Sequence, residues 1–257
     1  MTADDERADR DDGSGTERAD AGAGIAERWD AIFWDVGGVI LDVESVQAGH
    51  RRFVDRLVDE RDLDVDPDEA LDTWRTTVGE HFREREGTVF TPAREGYAKA
   101  VEAIVGEPLP EETWRPPFRE TIAETLETNP GAVEAIDALA ETDVHLGVLS
   151  DADRDELLFI LEAFGVRERF DSLTISEDVG RTKPDPAMFE AALQAAGPDA
   201  DPERCVMIGD RYRHDMAGAS EFGMTTVAHG AEDGEAVDHC IEDDLTELLE
   251  ILRGARD

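Results

Sequence analysis

Residues 31–40 read AIFWDVGGVI: an apolar run from Ala31 to Trp34, then Asp35, then the pair Gly37 and Gly38. So short and uninterrupted an apolar run suits a strand buried on both faces. Asp35 follows it directly, so its carboxylate emerges at the carboxyl end of the strand, and the glycine pair lets the chain turn tightly there. Further runs of the same kind cover residues 144–149 before Ser150 and Asp151, residues 173–175, residues 206–208 before Gly209 and Asp210, and residues 225–227. Helical stretches separate them. Strands alternating with helices specify a parallel sheet joined by crossover helices, a doubly wound, Rossmann-like α/β fold.

The interval between the first two runs is far longer than one crossover needs. Residues 43–128 read as helices only, as in SVQAGHRRFVDRLVDE and REGYAKAVEAIVG, where Phe53 with Leu57 and Val101 with Ile104 recur at helical spacing. They are expected to form a helical cap subdomain on two hinges, inserted into an α/β core of residues 28–42 and 129–257. Pro130 and Gly131 open a helix over residues 132–140, proline being favoured near a helix start. A last helix around residues 245–252 is expected to pack on the sheet. Residues 1–27 are rich in Asp, Gly, Ala and Arg, with too little apolar surface to offset the entropy of ordering, and are expected to form a disordered acidic tail.

In its 257 residues the chain carries 64 acidic against 25 basic side chains, a formal charge of −39. Such a surface repels polyanions, which argues against nucleic acid and anionic membranes as partners. Charge this extreme suits a halophilic source, because the Debye length falls to about 3 Å at 1 M salt and self-repulsion is screened. Two cysteines, Cys205 and Cys240, do not make a disulfide framework and fit a reducing compartment. No long apolar run and no basic-then-apolar N-terminus occur, so neither a membrane span nor a secretion signal is readable, and a cytoplasmic protein is expected.

In a parallel sheet, ligands collect beyond the carboxyl ends of the strands, where Asp35, Ser150, Asp151 and Asp210 fall. Ser150 offers a hydroxyl beside the N–H groups of a helix start, a place for a phosphoryl oxygen. Taken alone, a serine before acidic residues also reads as an ordinary N-cap. Lys183 lies in RTKPDP, and of the basic residues only it and Lys99 are lysines. A lysine kept in a chain that otherwise uses arginine suits a site needing a compact point charge. Asp210 and Asp215, in GDRYRHD, would repel each other and Asp35 unless a cation sat among them. Mg²⁺, with its preference for hard oxygen ligands and retained waters, is the natural choice, although Asp215 alone would also suit a helix cap.

The stretches FWDVGGVILD, VLSD, SEDVGRTKPDPAMF and IGDRYRHDMAGA, in this order and spacing over residues 31–227, resemble the haloacid dehalogenase-like hydrolase superfamily, in its branch with a helical cap after the first strand. The resemblance implies that Asp35 is a nucleophile and that Ser150 and Lys183 hold the transferred phosphoryl group, with Asp151 and Gly38 beside it. It also implies that Asp35, the Gly37 carbonyl, Asp210 and Asp215 support Mg²⁺. The expected activity is therefore a Mg²⁺-dependent phosphatase acting on a small phosphorylated metabolite through an aspartyl-phosphate.

One departure is chemical: phosphatases of the family usually place an acid/base aspartate where this chain has Gly37, and losing such help costs roughly 10² to 10⁴ in rate. Some relatives with a DxGNVI-like first motif share the glycine. Either a readily departing leaving group or a substitute acid, from His50, His81, Tyr97 or Asp42, is expected. Two alternatives stand beside the phosphatase: a 2-haloacid dehalogenase, whose relatives lack that acid but carry an SSNxxD-type last motif, and a non-catalytic phosphate-binding or regulatory protein. In the cap, Arg51, Arg52, Arg83, Arg85 and Arg94 suit either a second anion of the substrate or plain surface solvation, the favoured reading. His229, His239 and Cys240 read as loop residues, and the histidines lack zinc-ligand spacing. If the charge excess is an adaptation to salt, the melting temperature rises between dilute buffer and molar KCl, and calorimetry showing no change would remove the idea.

Overall fold

The computed structural model describes residues 24–230 and 234–254. Residues 1–23 of the expected tail lie outside the described residues, but its end needs correction. Ile25–Arg28 forms a one-turn helix, α1, and Ile25 is fully buried in the core beneath Trp29, whose Nε1 donates to the Leu252 carbonyl at 2.8 Å. One apolar side chain in an otherwise polar stretch was enough to bring the chain onto the core there.

Among the described residues, six strands form one parallel sheet: β1 (Ala31–Trp34), β2 (His145–Ser150), β3 (Ser172–Ile175), β4 (Cys205–Gly209), β5 (Thr225–His229) and β6 (His239–Ile241). Their order is β3-β2-β1-β4-β5-β6, with Trp34 in register between Val148 and Ile208. Because side chains alternate, Ile32 and Trp34 enter one hydrophobic layer and Ala31 and Phe33 the other. The first layer is closed by α6 (Ala132–Ala140), α7 (Arg154–Ala163) and α11 (Leu248–Arg253), through Ile136, Leu157 and Leu252. After the one-turn α8 (Ser176–Val179), the second is closed by α9 (Pro186–Ala196) and α10 (Ala217–Glu221), through Phe189 and Ala219.

The edge strand β6 was not foreseen. It holds His239 and Cys240, and His229 ends β5, so these three residues sit on strands and not in a loop. Both His239 and Cys240 are exposed, so β6 carries no apolar run to betray it.

Between β1 and β2 stand four more helices, α2 (Val43–Glu60), α3 (Pro67–Arg83), α4 (Ala93–Val105) and α5 (Glu111–Ala123). Asp42 and Asp66 cap the first two by accepting from backbone N–H groups two residues on, at 2.8 and 2.9 Å. These helices bury a cluster of their own, including Phe53, Leu57, Trp74, Val101 and Phe118, with Ile104 packed against it. The two connections run side by side: Asp42 N–H donates to Glu127 O at 3.0 Å, and Asn129 N–H to Ile40 O at 3.0 Å. Among the described residues, no helix is long and apolar enough to cross a membrane.

His50 packs among the rings of Trp74, Tyr97 and Phe118, with centroids 5.4, 5.5 and 5.7 Å away. Burial, helped by the charge of Arg75, lowers its pKa to about 4. A histidine depressed in the folded state binds its proton more readily when unfolded, so stability falls as the pH drops from about 6.5 towards 4. That loss amounts to at most about 3 kcal/mol. In His50→Phe the acid side of a denaturant-derived stability profile should flatten between these pH values; an unchanged slope would place the titrating group elsewhere.

Candidate active site

Asp35 extends β1 by one residue, its N–H donating to Ile208 O of β4 at 2.9 Å. Its Oδ1 accepts from Ser150 Oγ, the last residue of β2, at 2.7 Å, and from Val36 N–H at 2.7 Å. Lys183 is 0% exposed. Its Nζ donates to Leu149 O at 2.9 Å and lies 3.0 Å from Asp35 Oδ2 and 2.6 Å from Asp215 Oδ1. The lysine loop is fixed from below by Asp151, whose Oδ1 accepts from Lys183 N–H and from Ser176 Oγ, both at 2.8 Å. A π-helical turn over Tyr212–Met216 carries Asp215 inward, its Oδ2 accepting from Arg211 N–H at 2.9 Å. Asp35, Ser150, Asp151, Lys183 and Asp215 thus converge at the carboxyl edge of the sheet.

Arg211, which sequence reasoning passed over, reaches into the same cluster. Its Nη2 lies 3.3 Å from Asp35 Oδ2 and 3.1 Å from Asp151 Oδ2. Four carboxylates, of Asp35, Asp151, Asp210 and Asp215, therefore face two cations, a surplus of two negative charges. The surplus falls unevenly. Burial pushes the Asp35 carboxyl up, but Lys183, Arg211 and the Ser150 hydrogen bond together hold it below the usual carboxylate range. Asp210 goes the other way: burial, with Asp35 and Asp215 nearby, raises it to about 6.

Asp35, Asp210 and Asp215 each offer an oxygen within 4.8 Å of the others'. Asp210 Oδ1 is buried without a hydrogen-bond partner, and the Arg211 Nε nearest it is 3.8 Å away. An orphaned buried acceptor, in an all-oxygen set with surplus negative charge, fits a hard divalent cation. The backbone makes room for Asp210. Gly38 has φ +77°, and a Cβ there would overlap the Asp210 carboxylate, so the turn passes too close for any side chain. The His229 ring holds that turn, its Nδ1 2.8 Å from Gly38 O. At Gly37, by contrast, a Cβ would meet no atom within 4 Å.

Above the strand tips lies a cavity of about 280 Å³ between the four inserted helices and α7. Val36, Gly37, Ser150 and Asp151 form its floor. His50 and Tyr97 line it, whereas His81 is engaged by Pro92 O at 2.9 Å and Lys99 Nζ at 3.1 Å, and Asp42 caps α2; neither His81 nor Asp42 lines the cavity. Burial raises the Tyr97 hydroxyl pKa, so it keeps its proton. None of the cap arginines Arg51, Arg52, Arg83, Arg85 or Arg94 lines the cavity. Arg51 pairs with Asp68, Arg52 with Glu124, and Arg94 with Asp153 and Glu177.

A model of the haloacid dehalogenase-like hydrolase family matches residues 29–223. The chain belongs to that family. This hydrolase is 25% identical over 238 residues to the glyceraldehyde 3-phosphate phosphatase of Methanothermobacter thermautotrophicus, covering 86% of this chain and 99% of the relative. It is 28% identical over 201 residues to the ribulose-1,5-bisphosphate 5-phosphatase of Halopiger xanaduensis, covering 77% of this chain and 83% of that one. In fold it matches the magnesium-bound hydrolase YfnB from Bacillus subtilis, with a TM-score of 0.69 at 21% identity, over 88% of this chain and 99% of the other.

Hydrolases of this family generally use a divalent metal. If the carboxylate set takes one, Mg²⁺ at a hundredfold excess over its dissociation constant stabilises the fold by about 2.7 kcal/mol. A melting temperature that rises with MgCl₂ at constant ionic strength, and a smaller rise in Asp210→Asn, is the expected result. Equal shifts in both proteins would reject Asp210 as a ligand.

Proposed function

We propose that this hydrolase is a Mg²⁺-dependent phosphatase of a small phosphorylated metabolite, working in the cytoplasm through an aspartyl-phosphate at Asp35. One observation carries the reading: a carboxylate kept ionised at a strand tip, beside a buried ammonium and an unsatisfied acidic set. An Asp35 oxygen attacks phosphorus, a new P–O bond forms, and the ester P–O bond breaks with its electron pair leaving on the alcohol oxygen. Ser150 Oγ and Lys183 Nζ, both already on Asp35, are placed to orient the phosphoryl oxygens during transfer. Water then attacks the acyl phosphate, releasing hydrogen phosphate, a proton and free Asp35. Asp35, Asp210 and Asp215, with the Gly37 carbonyl, would hold Mg²⁺, which when bound offsets charge on the phosphoryl oxygens.

Proton supply is the weak step. His50, at a pKa of about 4, is neutral at pH 7 and has no spare proton to give as an acid. Tyr97 is protonated, but a hydroxyl so hard to ionise is poorly matched to the task. The leaving oxygen therefore departs largely as an oxyanion. The relatives named as phosphatases of small sugar phosphates support the class. Three clustered carboxylates argue against a metal-free dehalogenase, which would gain nothing from mutual repulsion at the nucleophile.

Phosphate release from an aryl phosphate, assayed with Mg²⁺ in high KCl, should be abolished in Asp35→Asn. Gly37→Asp, whose Cβ would meet no atom within 4 Å, should raise turnover of an alkyl phosphate by about 10² or more. Halide release without metal would establish the dehalogenase instead, and no turnover on a broad panel a binding protein.

A further inference from the structure

We infer that the group esterified to the phosphate is small, apolar and uncharged, an aryl-like moiety in preference to a polyol or a second anion. The inference rests on the phosphatase reading above and concerns only what the cavity floored by Val36, Gly37, Ser150 and Asp151 admits.

The cavity wall is built from apolar and aromatic side chains: Val46 of α2, Phe82 of α3, Tyr97 of α4, Phe118 of α5, and Phe159 and Ile160 of α7. Phe82 is 39% exposed although it is a large aromatic side chain, and it lines this cavity. Apolar side chains from several helices converging on a concave site suit apolar ligand contact. Among the described residues, no lysine or arginine lines the wall, so a second phosphate or a carboxylate would find no cation there.

The two carboxylates in the wall above the floor are already engaged. Asp153 accepts from Ala93 N–H at 2.7 Å and Arg94 N–H at 3.0 Å, and Glu156 from Arg115 Nη2 at 2.9 Å and Arg119 Nη2 at 3.0 Å. They contribute negative potential without free donors, and His50 is uncharged at neutral pH. Beyond the floor and the engaged carboxylates, a sugar's several hydroxyls would meet only the polar groups of His50, whose Nε2 has no partner, and Tyr97, too few to replace the water they lose, a cost that an apolar group avoids. Gly37 points the same way: without a positioned acid, a leaving oxygen that is stable as an oxyanion, as on an aromatic ring, departs most readily.

The test compares kcat/KM for phenyl phosphate, 4-carboxyphenyl phosphate, glycerol 1-phosphate and phosphoglycolate, with Mg²⁺ in high KCl. Phenyl and 4-carboxyphenyl phosphate have similar leaving groups and differ mainly by one remote charge. The neutral aryl ester should exceed the carboxylated one by about tenfold or more. Placing a cation at the cavity's exposed phenylalanine, in Phe82→Lys, should narrow that gap by about threefold. Phenylphosphonate should also inhibit more tightly than phosphonoacetate, a binding readout independent of leaving-group chemistry. Equal or better use of the anionic esters, or tighter binding of phosphonoacetate, would overturn the inference and leave the phosphatase reading intact. No phosphate release from any ester would overturn that reading, and the inference with it.

Discussion

A single ammonium sealed from solvent organises this molecule. Lys183 Nζ meets Asp35 beyond β1, the Leu149 carbonyl of β2 and Asp215 after β4, so one charge ties three parts of the sheet edge together. Burial opposes its charge, yet Asp215, Asp35 and Asp151 together raise its pKa above the ordinary lysine value. Removing one partner of such a buried set strands the others, typically at about 3 to 5 kcal/mol. A compact ammonium can address three acceptors converging from different directions; a planar guanidinium could not take that place without displacing one. Structure and reactivity share the contact, since the ammonium that closes the core also keeps Asp35 ionised.

From that charge follows the division of labour among the acids. Asp35 and Asp210 offer oxygens within 4.8 Å of each other, yet their environments drive their protonation in opposite directions. Lys183 and Arg211 offset the acid that stands at the strand tip, and Asp210, whose Oδ1 is left without a donor, carries its charge least readily. In the phosphatase proposed above, such opposed shifts in neighbouring carboxylates would separate their roles, one for attack and one for holding a cation. The lysine does not neutralise the site. It distributes the imbalance.

The strand tips were legible because buried parallel strands are apolar without interruption, so the polar residue ending each run stands out: Asp35 after Trp34, Ser150 after Leu149, Asp210 after Gly209. Lys183 was legible by rarity. Arg211 was not, because the chain uses arginine almost everywhere and one more beside an aspartate carries no signal. Strand β6 and helix α1 escaped because two exposed residues before one buried isoleucine in the strand, and a single buried isoleucine in the helix, leave no periodic trace. Asp153 escaped for another reason. It lies just before α7 and reads as an N-cap of that helix, yet its side chain accepts from the backbone of α4, 59 and 60 residues earlier in the chain. Contacts so distant leave nothing in a local window.

Those long-range contacts bind the cavity to the lysine. Thr182 N–H donates to Thr88 O at 2.8 Å and Phe90 N–H to Gly180 O at 3.1 Å, so the segment joining α3 to α4 is hydrogen-bonded to the loop that carries Lys183. The wall that shapes the cavity and the charge that holds Asp35 are thereby parts of one bonded unit. Gly37 stands at the junction, on the cavity floor two residues past Asp35, with open space where a side chain would go. Packing does not demand a glycine there, as it does at Gly38 under the Asp210 carboxylate. The open space therefore belongs to the cavity, where a carboxylate would have brought both a proton donor and a further negative charge against an apolar wall. A site that omits it gives up help for poor leaving groups and keeps a floor with one acid fewer for an apolar ester to desolvate.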